Sequence, residues 1–511
     1  MTIRLQTFPI ALGFGLAGLA FLEPVRQSPK ALGSFLGAAA VLCVWNVVLL
    51  LGKGRRTLRI RAVPRKQHYV QAAAQVIVFA CWGAYWPEVY ASAPFILAQL
   101  AFAYAFDMLL AWSRRDTSVL GFGQFPVILS VNLFLWFRPD WFYLQFAMVA
   151  LAFAAKELVR WTRDGQRVHI FNPSALPLAL VALGLLATGT SGITWGPEIA
   201  YTQFYPPHIY LLLFAVGLPA GFLFGVTLMT MSAVVTTYLF GLLYFANTGI
   251  YFFYDSHIPV AVFLGMHLLF NDPATSPRTD LGRIVYGALY GLSTVALYQV
   301  LGSAGLPTFY DKILAVPLLN LSVRWLDRAG RLPTGDPVPG SALRSPARRL
   351  AVVSLWALVF TGMTAADGVG DDHPGQYLPF WQQACEEGRP YACPYLADTE
   401  LNLCDQGSGW ACNEAGLLHL DLARSGEDLR RQDPAGAAEP FRRGCDLGLA
   451  AACRNLTTLA AGAGVFVRQR PSLGDYPILL RGSKGPIGER EPRALYALAC
   501  SQGWPDTCGR E

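Results

Sequence analysis

Apolar residues gather in blocks along the chain. From about residue 8 to residue 323 each block runs for roughly 17 to 22 residues, long enough to cross a ~30 Å hydrocarbon core as a helix. The pattern predicts helices near 8–22, 33–52, 70–86, 92–113, 118–137, 141–159, 173–189, 208–226, 229–248, 258–270, 284–303, 312–323 and 350–366, about thirteen spans of which the tenth and twelfth are short. After residue 366 no such block occurs.

Composition sharpens this picture. The 511 residues are 53% hydrophobic and 14% charged, against roughly 25% charged in a soluble domain, which excludes a single soluble enzyme. The net charge of +6 does not point to nucleic acid, because the cations cluster in short loops, the way a membrane protein orients itself. Lys53, Arg55, Arg56, Arg59, Arg61, Arg65 and Lys66 share one connection without an acid, so that loop and the amino terminus are expected in the cytoplasm. Alternation then places Arg114–Arg115, the Arg160–Arg167 loop and the 271–283 loop on the same side. Residues 326–349 read as a cytoplasmic linker rich in Arg, Pro and Gly, and span 350–366 carries the remainder outward. Arg348–Arg349, the apolar run and Thr364-Ala365-Ala366 also have the layout of a secretory signal with a small-residue cleavage site, the alternative to a retained last span.

Two segments interrupt the apolar pattern with polar residues. The first is His169-Ile-Phe-Asn-Pro-Ser174, where Asn172 can cap a helix whose first turn accepts Pro173. The second is Phe270-Asn-Asp-Pro-Ala-Thr-Ser-Pro277, followed by Arg278, Thr279, Asp280, Gly282 and Arg283. A Pro-broken polar loop beside a short apolar segment suits a cofactor or ion site at a discontinuous helix; a helix cap and a solvated turn is the plainer alternative. Other ionisable groups lie within spans, where an unpaired charge costs about 2.5–3.5 kcal/mol. Asp107 is the candidate for an ion pathway. Lys156 and Glu157 are expected to snorkel to the interface, and His267 serves helix packing or a cofactor contact. Cys43 and Cys81 are isolated thiols in apolar helices, and this chain alone cannot hold an iron–sulfur cluster.

The pairing of FNPSA (171–175) with FNDPATSPRTDLGRIVYG (270–287) resembles the membrane-embedded, flavin-bearing family shared by the Rnf electron-transport complex and the sodium-translocating NADH:quinone oxidoreductase. The resemblance covers roughly residues 63–325. It implies a flavoprotein of about ten helices that passes electrons within the membrane and is coupled to Na⁺ or H⁺ movement, with FMN and/or riboflavin as cofactor. By that resemblance Asn172, Asp272, Thr275 and Ser276 hold flavin. Members carry FMN on the threonine of a Ser/Thr-Gly-Ala-Thr motif with an upstream acid. The matching stretch here is Ser191-Gly-Ile-Thr194, which makes Thr194 the covalent candidate; Ile193 replaces the alanine and the preceding span holds no acid, so a plain loop start before Trp195 is the alternative.

Of ten cysteines, eight lie between 385 and 508, a density usual for a disulfide-stapled domain in an oxidising compartment. Cys385 and Cys393, Cys404 and Cys412, Cys445 and Cys453, Cys500 and Cys508 are each eight residues apart, with glycine at the third position after the first (388, 407, 448, 503). Two four-cysteine zinc sites are the rival reading, although the spacing is not the usual C-x2–4-C. The repeat resembles the cysteine-rich secreted form of the Sel1-like repeat. That resemblance implies that each pair is a disulfide clipping one helix end to the next helix start, in a solenoid that binds partners. Residues 462–494 read as an insertion.

The expected architecture is therefore all-α. Two extra helices and a basic loop (1–62) precede an Rnf-like membrane domain (63–325), the linker (326–349), a last span (350–366) and a disulfide-clipped Sel1-like domain (367–511). The expected location is a bacterial inner membrane, multi-pass, with the amino terminus cytoplasmic and the last domain periplasmic. The expected function is electron relay through flavin as one component of an ion-coupled complex. Its partners would be the other membrane components of that complex, Na⁺ or H⁺ and a periplasmic protein, with no nucleic acid. The alternatives are a non-redox scaffold or transporter of the same fold recruiting envelope partners, and an accessory protein of a biosynthetic pathway.

Overall fold

Every apolar block holds a helix in the computed structural model, which describes residues 2–4, 6–52, 58–115, 117–163, 165–330, 345–366, 369, 373–425, 434–481, 487–488 and 490–510. The helices are α1 (Phe8–Leu19), α2 (Pro29–Leu51), α3 (Lys66–Gly83), α4 (Ala93–Arg114), α5 (Gln124–Asn132), α6 (Phe142–Leu158), α7 (Ala175–Thr188), α8 (Ile209–Phe224), α9 (Thr227–Thr248), α10 (Val260–Leu268), α11 (Asp280–Ser303), α12 (Asp311–Ala329) and α13 (Pro346–Ala365). Among the described residues six stretches, not the thirteen expected, are long and apolar enough to cross a membrane: Pro29–Leu51, Glu88–Arg114, Pro139–Leu158, Thr227–Thr248, Asp280–Ser303 and Pro346–Ala365.

The expected span 118–137 is not one helix. Its first residues are a strand, the helix that follows is only nine residues long, and the chain beyond Asn132 runs on without regular structure. The span at 258–270 likewise shrinks to the nine residues of α10, every one of them buried. Such half-helices leave free carbonyls inside the protein, and side chains must take them up. Gln203 Nε2 donates to Leu133 O at 2.6 Å, and Asn172 Nδ2 donates to Leu269 O at 2.6 Å. The two half-helices meet at their C-terminal ends, where Ser130 Oγ donates to Leu268 O.

The surrounding helices follow one scheme twice. In the run α3–α7, α3 packs on the half-helix α5, α4 on α6, and α6 on α7; in the run α8–α12, α8 packs on α10 and α11 on α12. Gly287 and Gly291 of α11 lie against the backbone of α9 at Met229 and Ala233, completing the parallel with α4 and α6. The runs join through their equivalent members, α3 with α8 and α7 with α12.

The all-α expectation misses two small sheets. β1 (Thr2–Arg4) pairs antiparallel with β2 (Arg59–Ala62), which pairs parallel with β3 (Thr117–Leu120). β4 (Arg160–Arg163) and β5 (Gln166–His169) form a hairpin with Gly165 at φ 75°. The polar segments between helices satisfy their main chain by pairing with one another. The linker is shorter than expected, since α12 reaches Ala329 and α13 starts at Pro346; residues 331–344, like Lys53, Arg55 and Arg56, lie outside the described residues.

The chain divides into one unit of residues 1–238 and 258–366 and a second of 239–257 and 367–511. The second unit thus joins the end of α9 and the loop after it to the cysteine-rich tail. Within that unit Tyr254, at a left-handed φ of 72°, stacks on Trp381 with ring centres 5.4 Å apart, and Arg389 donates to Gly249 O at 2.7 Å.

The helices α14 (Leu378–Glu386), α15 (Ala392–Asp405), α16 (Gly409–Ser425), α17 (Ala438–Asp446) and α18 (Ala450–Ala461) pack each on the next, and α19 (Pro492–Ser501) follows. The eight cysteines are joined as 385–393, 404–412, 445–453 and 500–508. Gly388, Gly407, Gly448 and Gly503 all have positive φ, and the next residue's N–H reaches back five positions to a helix carbonyl: Arg389 to Ala384, Ser408 to Leu403, Leu449 to Gly444, Trp504 to Ala499. This is one helix-ending motif repeated four times, with glycine where a Cβ would be strained.

Candidate functional site

The two polar motifs, about a hundred residues apart in sequence, meet in the first unit. Asn172 Oδ1 accepts the N–H groups of Ser174 (2.9 Å) and Ala175 (3.1 Å), capping α7. Its own N–H donates to Asn320 Oδ1 of α12, and its Nδ2 holds the Leu269 carbonyl at the end of α10. Asn320 in turn donates to Tyr286 Oη and Thr275 O. Asn172 is thus a joint between α7, α10 and α12.

The second motif folds on itself. Asp272 Oδ1 accepts from Ala274 N–H at 3.1 Å, and Thr275 Oγ1 and Ser276 Oγ both donate to Asp272 O. Arg163 of β4 donates to Ser276 O and pairs with buried Asp327, whose Oδ1 also accepts Arg278 N–H. The hairpin and α12 therefore clamp the loop from two sides.

Asp272 Oδ2 faces outward, 2.8 Å from His169 Nε2 at the end of β5. Both line a cavity of about 620 Å³ with Arg65, His68, Lys156 and Asn172, within the usual range of roughly 300–1,000 Å³ for small-molecule sites. Burial opposes ionisation of Asp272, yet His169, by charge and hydrogen bond, and the Ala274 N–H together hold its carboxyl below the usual carboxylate range. The walls carry two fixed cations, two imidazoles and one carboxylate. That set suits a ligand that carries an anionic group and accepts and donates hydrogen bonds.

No family model, curated protein or solved structure matches this chain.

Of the residues singled out from sequence, Asn172 and Asp272 line the cavity, while Thr275 and Ser276 are buried behind it with their hydroxyls spent on the turn. Thr194 lies elsewhere. It follows α7, whose 14 residues at 1.5 Å each separate it from the Asn172 end by about 21 Å. Its side chain is fully buried, Oγ1 donates to Ser191 O (2.8 Å) and accepts Gly196 N–H (3.3 Å), and residues 136–138 pair with this loop.

Asp107 is half-buried, accepts from Gln124 Nε2 (3.1 Å) at the start of α5, and does not line the cavity. Glu157 departs from the snorkelling expectation. It is buried and bridges Arg115 (2.8 Å) and Arg160 (2.6 Å), because its helix ends against β4 rather than at an open interface. Lys156 faces the cavity. His267 is packed between Phe263 and Trp356, with Nδ1 on Phe263 O. Sequence reasoning missed His68, Asn320, Asp327 and Gln203. Asp327 stood among arginines that read as linker, and a lone amide in an apolar block names no partner.

Proposed function

We propose that this chain is a multi-pass protein of a bacterial inner membrane whose residues 63–325 act as an Rnf-like, electron-relaying membrane component, holding a flavin in the Asn172–Asp272 cavity. Residues 367–511 would be a periplasmic, Sel1-like interaction domain. The observation that carries the reading is the convergence of the two motifs on one cavity beside the broken helix α10. Broken helices and paired helix runs are recurrent where membrane proteins hold substrates or ions.

Bound flavin supplies reversible uptake of electrons together with protons. The chain's part is to hold it and manage charge. Arg65 and Lys156 suit the phosphate of FMN over unphosphorylated riboflavin, Ser174 and Asn172 fix the wall, and the His169–Asp272 pair can hold or yield a proton at Nε2. Asp107, tied to the start of α5, is the ion-pathway candidate for Na⁺ or H⁺. Partner proteins of the complex would supply and remove electrons.

The topology has support of its own. A single sheet joins the amino terminus with the loops at 59–62 and 117–120, which alternation of spans assigns to one side. The loop at 249–257 folds into the same unit as the cysteine-rich tail, and alternation puts both on the opposite side.

The test is the visible spectrum of the purified protein before and after acid precipitation. Yellow colour released by acid is the expected result. Colour retained in the pellet would place the flavin on Thr194, and a colourless protein would overturn the flavoprotein reading. The burial of Thr194, with its hydroxyl already engaged on both sides, favours as the second reading a non-redox scaffold of the same fold.

A further inference from the structure

Two half-helices approach each other end to end inside the first unit. α5 and α10 have nine residues each, about 13.5 Å apiece at 1.5 Å per residue, so together they match most of a ~30 Å hydrocarbon core. By the alternation of spans they enter from opposite sides. The hydrogen bond from Ser130 Oγ to Leu268 O (3.1 Å) marks where their C-terminal ends meet, and that junction therefore falls near the middle of the bilayer.

A helix C-terminus carries roughly half a negative charge, so the two ends bring about one unit of charge to the junction. The side chains that meet them here are neutral. Ser130 Oγ donates to Leu268 O, Asn172 Nδ2 to Leu269 O, Asn271 Nδ2 to His267 O, and Gln203 Nε2 to Leu133 O just beyond α5.

Two buried amides add unserved oxygens. Gln75 of α3 is fully buried, and its Nε2 donates to Ser130 Oγ at 2.7 Å and to Pro126 O at 3.2 Å. A carbonyl only accepts, so the Pro126 contact fixes which end of the amide faces α5. Gln75 Oε1 has no hydrogen-bond partner among the described residues. Amide geometry holds it about 2.2 Å from Nε2, and hence within roughly 5 Å of Ser130 Oγ. Gln203 is arranged alike, with Nε2 on Leu133 O at 2.6 Å and an Oε1 that has no partner among the described residues.

A water molecule serves one such oxygen but leaves the converging helix charge in place; a cation answers both. Neutral oxygen donors are the ligands of hard cations, half-helix C-terminal ends are a recurrent place for them in membranes, and about one unit of helix charge matches a single positive one. We infer that the junction of α5 and α10 binds a monovalent alkali cation through Gln75 Oε1, Ser130 Oγ and the last carbonyls of the half-helices. Ser130, Asn172 and Leu269 also line the cavity of about 620 Å³, which gives the ion its entry. Arg65 and Lys156 line that cavity too, so an anionic occupant that cancels their charge favours the ion, and by linkage the ion favours the occupant. Asp107 is tied through Gln124 to the opposite end of α5 and is a separate group. The inference deepens the reading of residues 63–325 as an ion-coupled membrane component and rests on it, without needing the flavin.

The test is the thermal midpoint of the full chain in detergent, in NaCl, KCl and choline chloride at equal ionic strength. NaCl or KCl should raise the midpoint over choline chloride in a saturable way. Gln75→Met keeps the bulk and removes the oxygen, and it should need at least about tenfold more of that salt for the same rise, as expected when one ligand to a charged group is lost. Equal wild-type midpoints in all three salts would overturn the inference. An undiminished response in Gln75→Met would place the ion elsewhere, leaving the ion-coupled reading standing and sinking this site. Should Gln75→Met fail to fold, equilibrium binding of radioactive sodium and rubidium to the wild type and to Ser130→Ala decides: one ion per wild-type chain and weaker binding by the variant support the site, and no binding or equal binding overturns it. The acid-precipitation spectrum reads the flavin independently, so a colourless protein with a Gln75-dependent salt response keeps the site and loses only the flavin.

Discussion

Asn172 makes bonds that no apolar side chain could replace. Truncation to alanine uncaps α7 and strands the Leu269 carbonyl, and losing a cap plus one buried partner costs about 2–4 kcal/mol. We expect Asn172→Ala to lower the thermal midpoint in detergent by several degrees, and Asn172→Asp, which keeps the cap, to lower it less. Asp272 carries a pH signature. Its folded-state pKa lies below the ordinary value, so its stabilisation is present above about 3.9, the unperturbed aspartate value, and is lost as pH falls through the folded value. Melting curves taken from pH 5 downward should show a steeper loss in the wild type than in Asp272→Asn; equal slopes would remove the ion pair from the account. The sequence exposed both residues because polar groups in Pro-broken loops stand out against apolar blocks. Asn320 and Gln203 were illegible, since a single amide in or beside an apolar run does not say which carbonyl it serves.

Between helices the informative positions are the glycines of α11. A Cβ on Gly287 would overlap the Met229 carbonyl oxygen of α9, whereas one on Gly184 of α7 would meet nothing within 4 Å. Overpacking of this kind costs about 1–3 kcal/mol. Gly287→Ala should therefore lower the thermal midpoint clearly, while Gly184→Ala should leave it unchanged or slightly raised, the helix-propensity gain being roughly 1 kcal/mol. Equal midpoints for the two variants would mean that α9 and α11 are not in close backbone contact. Helix existence was legible throughout, because long apolar runs leave few alternatives. Helix length was not. A block such as 118–137 is apolar whether it is one helix or a strand, a half-helix and an extended segment, since all three are buried and hydropathy does not register which backbone groups are left to be capped.

Over the whole molecule the cysteine clips and the apolar helices obey different chemistry. Each disulfide closes a separation of eight residues, for which chain entropy gives about 2.5 kcal/mol. Reducing agent should therefore lower the melting transition of the second unit (239–257 and 367–511) and leave that of the first (1–238 and 258–366) in place, which differential scanning calorimetry of the full chain can read. A single transition moving as one would show the two units to be thermodynamically inseparable. The clips have a further consequence for how the tail is made. Eight cysteines admit roughly a hundred pairings, yet here every partner is the next cysteine in the chain and is presented across a completed helix end. Each bond can close as soon as its two cysteines have emerged, before later ones are available to compete. Such a tail needs an oxidant for its maturation, and the order in which its cysteines emerge favours the native pairs.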